Sequence, residues 1–587
     1  MTDDSKPRRF GFGREQGFRL ALAWFATVLA SAGAPAFAER PADSLLKLAP
    51  ADSGMVLAVE EFRAFADRVG RSPQAGAFAR LPTVLAWQNS ADAKPFHAFR
   101  KQVETVVGVS WKTIRDDVFG DAVVLALHMA PDRPVEEARG VLMVRPRDPK
   151  LLRRLIQLMN DAQNAQGMLE EVKTVEYRGR SYVVRRFKGG NKRLDCYAIF
   201  EDGVLVWSND EALVKGAIDR KLDGSTSLLD RPEFVEFRDG MPQHSAAMLY
   251  VDPRTIERLI VLTPTPTKSE DQRSRAVALR ALKALRGAGL AVEWRDGLLL
   301  HSREILDPNA VPEWIKTWGG RTDSADALAR RIPRGSVVVL AGLIDLSAAY
   351  EGVLSLLNDD EKPRLELLLQ AARCALAGED PVRSIFPKVG PAAVVYLDAP
   401  SGVSPARFDV VGAVQLFAGN SSSGGLTAAL DNALRTILTL YALDPKRQAM
   451  GLRVEMIERK GRRLTRIAGG PTPFVYAFGP GWLAVGSTVE GVGRFDSSID
   501  DNNALAKLRK VHFPDARWSA GVDLARLAEL AKANRADLLG RFGGEREFEQ
   551  SVALLELFPT AFAAMTIDPK FRSIHRVIGL VDSVPAK

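Results

Sequence analysis

Six histidines and two cysteines are the side chains of this 587-residue sequence best suited to metal or nucleophilic chemistry. Their spacing favours neither. His97, His128, His244, His301, His512 and His575 include no His-x-x-x-His pair and no HExxH, so no helix face offers the two ring nitrogens a zinc ion needs. Cys196 and Cys374 lack a CxxC partner, which excludes a disulfide framework and a cysteine-rich metal site. Both sit beside apolar residues and are expected to be buried, inert thiols. There is no G-x-S-x-G elbow from which to start a hydrolase triad. The segment Gly419–Gly425 (GNSSSGG) lies where a phosphate cradle would, between a strand and a helix, but Leu426 follows in place of the Lys-Ser/Thr of a P-loop. It reads as a loop.

Carboxylates are plentiful, yet Asp148, Asp210, Asp252, Asp345 and Asp523 all stand just before helical runs, where an aspartate caps orphan amide groups. His301 and His575 occupy matching positions on two predicted strands. They read as ordinary strand histidines, with paired ligands or bases as the functional counter-reading. An enzyme would gather several of Asp121, Asp202, Asp252, His301 and His575 in one cleft. The expectation is no catalytic, metal-binding or cofactor-binding residue, and no cofactor.

The elements that position these residues begin after an export signal. Lys6, Arg8, Arg9, Arg14 and Arg19 precede the uncharged run Leu20–Leu29, and Ala36-Phe37-Ala38 gives the small-x-small pattern before Glu39. An uncleaved anchor over Leu20–Ala38 is the competing expectation, because its length approaches the ~20 residues a span requires. The chain carries 80 basic and 72 acidic side chains, a formal +8. That is weak positivity for its size, and together with export it argues against a nucleic-acid partner.

Past residue 38, short apolar strands joined by tight turns alternate with helical runs. Val172–Tyr177 and Ser181–Phe187 flank Arg178-Gly179, and Cys196–Phe200 and Val204–Trp207 flank Glu201-Asp202-Gly203. Arg185 and Arg186 make Tyr182–Phe187 look half-solvated, whereas Val204–Trp207 looks covered on both faces. Asp148-Pro149 opens a helix with apolar residues at helical spacing. Thr263–Arg275 reads as an exposed loop, and Leu279–Leu290 as a basic helix face.

The same series returns after a shift of about 270–280 residues. Gly390–Val395 follows Gly120–Val124, Arg459–Arg462 follows Tyr177–Arg180, Val522-Asp523 follows Val251-Asp252, and Ile574–Arg576 follows Leu300–Ser302. The expected fold class is α+β, with mostly antiparallel sheets covered on one face by helices and internally duplicated. Residues 1–38 are the signal or anchor, 39–318 the first repeat domain and 319–587 its diverged copy.

Several segments carry a resemblance: LAPADSGMVLAVEEFRAF at 48–65, FGDAVVLAL at 119–127, RGVLMVRPRDPKLLRRLI at 139–156, YRGRSYVVRRF at 177–187, EDGVLVWSNDEALVKGAIDRKL at 201–222 and LYVDPRTIERL at 249–259. In these the chain resembles an uncharacterised family of exported bacterial proteins, of the planctomycete and cyanobacterial sort. The resemblance implies export and the fold, and no activity. The expected role is that of a non-catalytic periplasmic or envelope protein that binds or scaffolds, free or held at the inner membrane by its N-terminal segment. Its expected partner is an envelope protein, cell-wall material or lipid, seated between the halves or along a sheet. An exported hydrolase with an unrecognised active site between the halves is the alternative.

Overall fold

The computed structural model describes residues 40–581, apart from positions 92, 264, 322, 334 and 460 and the stretches 129–137, 189–193, 266–268, 400–407, 418–423, 444–450, 470–473 and 496–514. The expected signal, residues 419–423 of the GNSSSGG segment and His512 lie outside the described residues, while Gly424 and Gly425 open the helix Gly424–Ala442. The chain is α+β and forms two compact units, 1–276 with 287–295, and 277–286 with 296–587.

The sheet of the first unit is built from β1 (Met55–Glu60), β2 (Ala122–His128), β3 (Arg139–Arg145), β4 (Leu169–Tyr177), β5 (Arg180–Phe187), β6 (Leu194–Ile199), β7 (Leu205–Ser208), β8 (Ala247–Val251) and β9 (Leu285–Trp294). Every pairing is antiparallel, in the order β9-β8-β1-β2-β3-β7-β6-β5-β4. The second unit holds β10 (Gly297–Leu306), β11 (Val338–Leu343), β12 (Val389–Asp398), β13 (Asp409–Leu416), β14 (Arg453–Arg459), β15 (Arg462–Ala468), β16 (Phe474–Gly479), β17 (Trp482–Gly486), β18 (Trp518–Asp523), β19 (Thr560–Ile567) and β20 (Ser573–Val581). Its order is β10-β20-β19-β18-β11-β12-β13-β17-β16-β15-β14, again antiparallel throughout.

From β9 to β4 and from β19 to β14 the two orders run in step. Registers agree as well: Met55 faces Leu127 and Val251, while Val338 faces Leu397 and Val522. Val144 faces Leu205 as Val414 faces Leu483, and the tight turns close on Tyr177–Arg180 and Arg459–Arg462. Helices fall at matching points. Pro149–Ala165 follows β3 as Gly424–Ala442 follows β13, and Pro253–Leu262 follows β8 as Leu524–Ala533 follows β18. A π-helical turn precedes both β2 and β12.

Burial explains why these segments hold. One face of the first sheet packs Val123, Val144 and Leu205 against Phe62, Phe65, Leu152 and Ile156. In the second unit Trp482 meets Phe495 edge-on at 4.9 Å, and Phe495 stacks on Tyr396 at 6.2 Å. The pre-helical aspartates act as caps: Asp148 accepts from the amides of Lys150 and Leu151 at 2.9 and 3.1 Å, and Asp210, Asp252, Asp345 and Asp523 accept similarly. Asp148→Ala is therefore expected to cost ~1 kcal/mol in urea unfolding of the full chain. A loss above ~3 kcal/mol would show that Asp148 does more than cap.

Several local expectations need correcting. Arg185 is 1% exposed, its guanidinium stacked over Phe187 and Trp207 and bonded to Gln163, so of Arg185 and Arg186 on β5 only Arg186 is exposed; β4 is the more solvated strand. Leu279–Leu290 is no single helix, because the helix Ser269–Lys283 ends and β9 starts at Leu285. That helix also takes up the end of the loop expected over 263–275. Cys374 is exposed, because the helix Lys362–Ala375 buries none of its residues. Cys196 is buried, and burial pushes its thiol up to about 12, which keeps it protonated. The compact units part ahead of the 318/319 boundary, since β10 pairs with β20 along nearly its whole length.

Candidate functional site

Three neighbouring strands of the second unit, β19, β20 and β10, form the floor of a cavity of about 550 Å³, joined by the segment that leads into β18. In register across that floor, Thr566 faces His575, and His575 faces Arg303. Side chains alternate along a strand, so Arg303 and His301 share the floor side of β10, as His575 and Val577 do on β20. Arg517 enters just before β18, its backbone N–H donating a hydrogen bond to the Met565 carbonyl at 2.9 Å. Loops supply the rim: Asp323 and Ser324, Asp515, and Asp568 in the β19–β20 turn.

The rim is partly braced. Asp568 accepts from the Lys570 amide at 2.9 Å and pairs with Arg572 at 3.0 Å, and the Arg572 bonds hold its carboxyl below the usual range. Asp323 lies 3.4 Å from Arg321, and the Arg517 guanidinium donates to the Arg321 carbonyl. The cavity thus presents guanidinium groups from its floor and carboxylates from its edges.

The two histidines that sequence symmetry singled out meet here. His301 Nδ1 and His575 Nε2 are 3.2 Å apart, with the rings stacked at 5.4 Å and tilted by 21°. Burial pushes the His575 imidazole down to about 4, helped by the charges of His301 and Arg303. At neutral pH it is an uncharged ring whose Nε2 is engaged by its neighbour. Such a ring is a poor general base, since a catalytic base works best with a pKa near the working pH.

The other candidates belong to the first unit and have partners of their own there. Asp121 binds Arg145 at 2.7 Å, Asp202 binds Lys221 at 2.6 Å, and Asp252 caps its helix while pairing with Arg231 at 2.8 Å, all in the first unit. His128 stands 3.2 Å from Asp52, and His97 touches the Phe96 ring. Among the described residues, no group of three or more His, Cys, Asp or Glu side chains is placed to hold a metal ion. Elsewhere in the first unit, burial raises the Glu60 carboxyl to about 7 despite Arg40 and Arg238. A shallower hollow of about 560 Å³ beside Pro149–Ala165 has Asn160 bonded to Tyr197 at 3.1 Å. The matching tyrosine of the second unit, Tyr476, donates to Asp431 at 2.8 Å.

Sequence reasoning missed Arg303, Arg517, Asp515 and Asp568. Arg303 had a signal, being two residues past His301 on the same strand face; the loop aspartates had none. No curated protein and no solved structure matches the chain. A family model described as a protein of unknown function (DUF3352) matches residues 119–377, from just before β2 to just past the helix Lys362–Ala375.

Proposed function

We propose that this is an exported, non-catalytic binding protein of the bacterial envelope, built from two diverged copies of one α+β block, which seats a polar ligand in the cavity over Arg303, Arg517 and His575. The observation that carries the reading is the His301–His575 contact at 3.2 Å beside the cavity, which ties one nitrogen of the His575 ring to a neighbouring imidazole and not to a carboxylate that would activate it. Guanidinium groups below and carboxylates above suit a ligand bearing hydrogen-bonding and charged groups, as cell-wall fragments do. The matched strand orders and registers support the duplication, and the basic, apolar and small-residue series of residues 1–38 supports export.

Incubating the full chain with a soluble peptidoglycan digest tests the binding reading. Intact fragments retained by the wild type, and lost at least tenfold in Arg303→Ala/Arg517→Ala, are expected. Fragments cleaved by the wild type would favour the exported hydrolase, and no retention would remove cell-wall material as the ligand. Intact mass of the protein recovered from the envelope reads export separately: a start at Glu39 is expected, and an intact Met1 start would mean an anchor.

A further inference from the structure

Two short helices of the first unit carry apolar side chains that the fold leaves in solvent. Pro73–Ala79 buries only Gln74, and Pro82–Gln88 buries none of its residues. Phe78, Leu85 and Trp87 are 49%, 44% and 49% exposed, whereas Leu81 at the corner between the helices is buried and fixes the bend. Ser72 starts the first helix by accepting from the Ala75 amide, and proline opens each, so the pair is locally specified. Across residues 73–91 the only charged side chain is Arg80. The helix that follows, Lys94–Val107, adds Lys94, Arg100 and Lys101 and exposes Phe99 and Val106.

The acids of this stretch are Asp92 and Glu104; Glu104 accepts from the Trp111 amide at 2.7 Å and lies 4.0 Å from Arg100, which leaves Arg80, Lys94 and Lys101 as the cations of the edge. Exposed aromatic and aliphatic groups edged by cations, without carboxylates among the apolar residues, match the boundary of an anionic bilayer. There a tryptophan ring sits at headgroup level and long basic side chains reach the phosphates. A patch this apolar marks an interaction surface on a water-facing protein.

We propose that helices Pro73–Ala79 and Pro82–Gln88, with the basic side of Lys94–Val107, rest on an anionic lipid surface. This contact is separate from any made by the N-terminal segment and independent of the cavity in the second unit.

Amide hydrogen exchange of the full chain tests it, because the readout is local and any N-terminal attachment leaves it unmoved. With vesicles of phosphatidylglycerol and phosphatidylcholine, residues 73–91 are expected to exchange about tenfold more slowly than without lipid. With phosphatidylcholine alone the slowing should largely vanish. Phe78→Ser/Trp87→Ser removes exposed side chains only, so exchange in the core strands should be unchanged while protection of 73–91 is lost. Unchanged exchange at 73–91 in vesicle-bound protein would overturn the proposal. Equal protection by both vesicle types would overturn it too, as would protection that grows with protein concentration in the absence of lipid, the mark of a second copy on this face.

Discussion

Arg494→Met is expected to destabilise the second unit by about 3 kcal/mol, because it strips the cation from two buried carboxylates. Asp409 and Asp398 are 3% and 7% exposed, and the Arg494 guanidinium lies 2.5 and 3.1 Å from them. Burial holds the Asp398 carboxyl above its usual range, with Arg494 opposing that rise. Removing one partner of a buried ion pair typically costs ~3–5 kcal/mol, and the lower end applies since the Arg494 side chain is partly solvated. Asp409→Asn/Arg494→Met should recover part of the loss, since Thr488 still donates to position 409. Urea unfolding followed by exchange in β12 and β13 measures both variants. A loss below ~1 kcal/mol for the single variant would mean that water already serves these carboxylates.

The second large effect is an acid one. His575 titrates near 4 when folded and near its ordinary 6.5 when unfolded, so the unfolded chain takes up the proton first. Its contribution is therefore fully present above pH 6.5 and is lost as pH falls toward 4. The full shift corresponds to about 3 to 3.5 kcal/mol, most of it expressed by pH 4. Raised carboxyls in the same unit, Glu304 and Asp398, act in the opposite direction, so the absolute pH curve mixes signs. The clean measurement is the difference between wild type and His575→Asn. From pH 7 to pH 4 the wild type should lose ~2–3 kcal/mol relative to the variant, and a difference independent of pH would refute the depressed titration.

Much of the fold was legible because turns and caps carry local chemistry. Arg178-Gly179 puts two successive residues at positive φ, 53° and 73°, and so sets the β4–β5 register. Aspartates before helices mark where strands end. Less legible were residues decided by distant neighbours. Arg185 looked solvent-facing until Gln163, Phe187 and Trp207 closed around it. At Leu285 an apolar, helix-compatible run became a strand, and Gly289 is needed there because a Cβ would lie 2.2 Å from the Leu249 carbonyl of β8. The cavity was half-visible: His301 and His575 declared themselves by matched position. Arg517 and the rim aspartates come from segments brought together only by the β18–β19–β20 pairing.

One pair of contacts has opposite polarity at corresponding points of the two units. Arg139 opens β3 and binds Asp210, the cap of the helix after β7, at 2.8 Å. Asp409 opens β13 and instead accepts from Thr488, the cap of the helix after β17, at 2.7 Å. A genetic crossover joining β13 to the helix of the first half would set Asp210 against Asp409, two anions at one clasp. Such a hybrid is expected to be less stable than either native pairing.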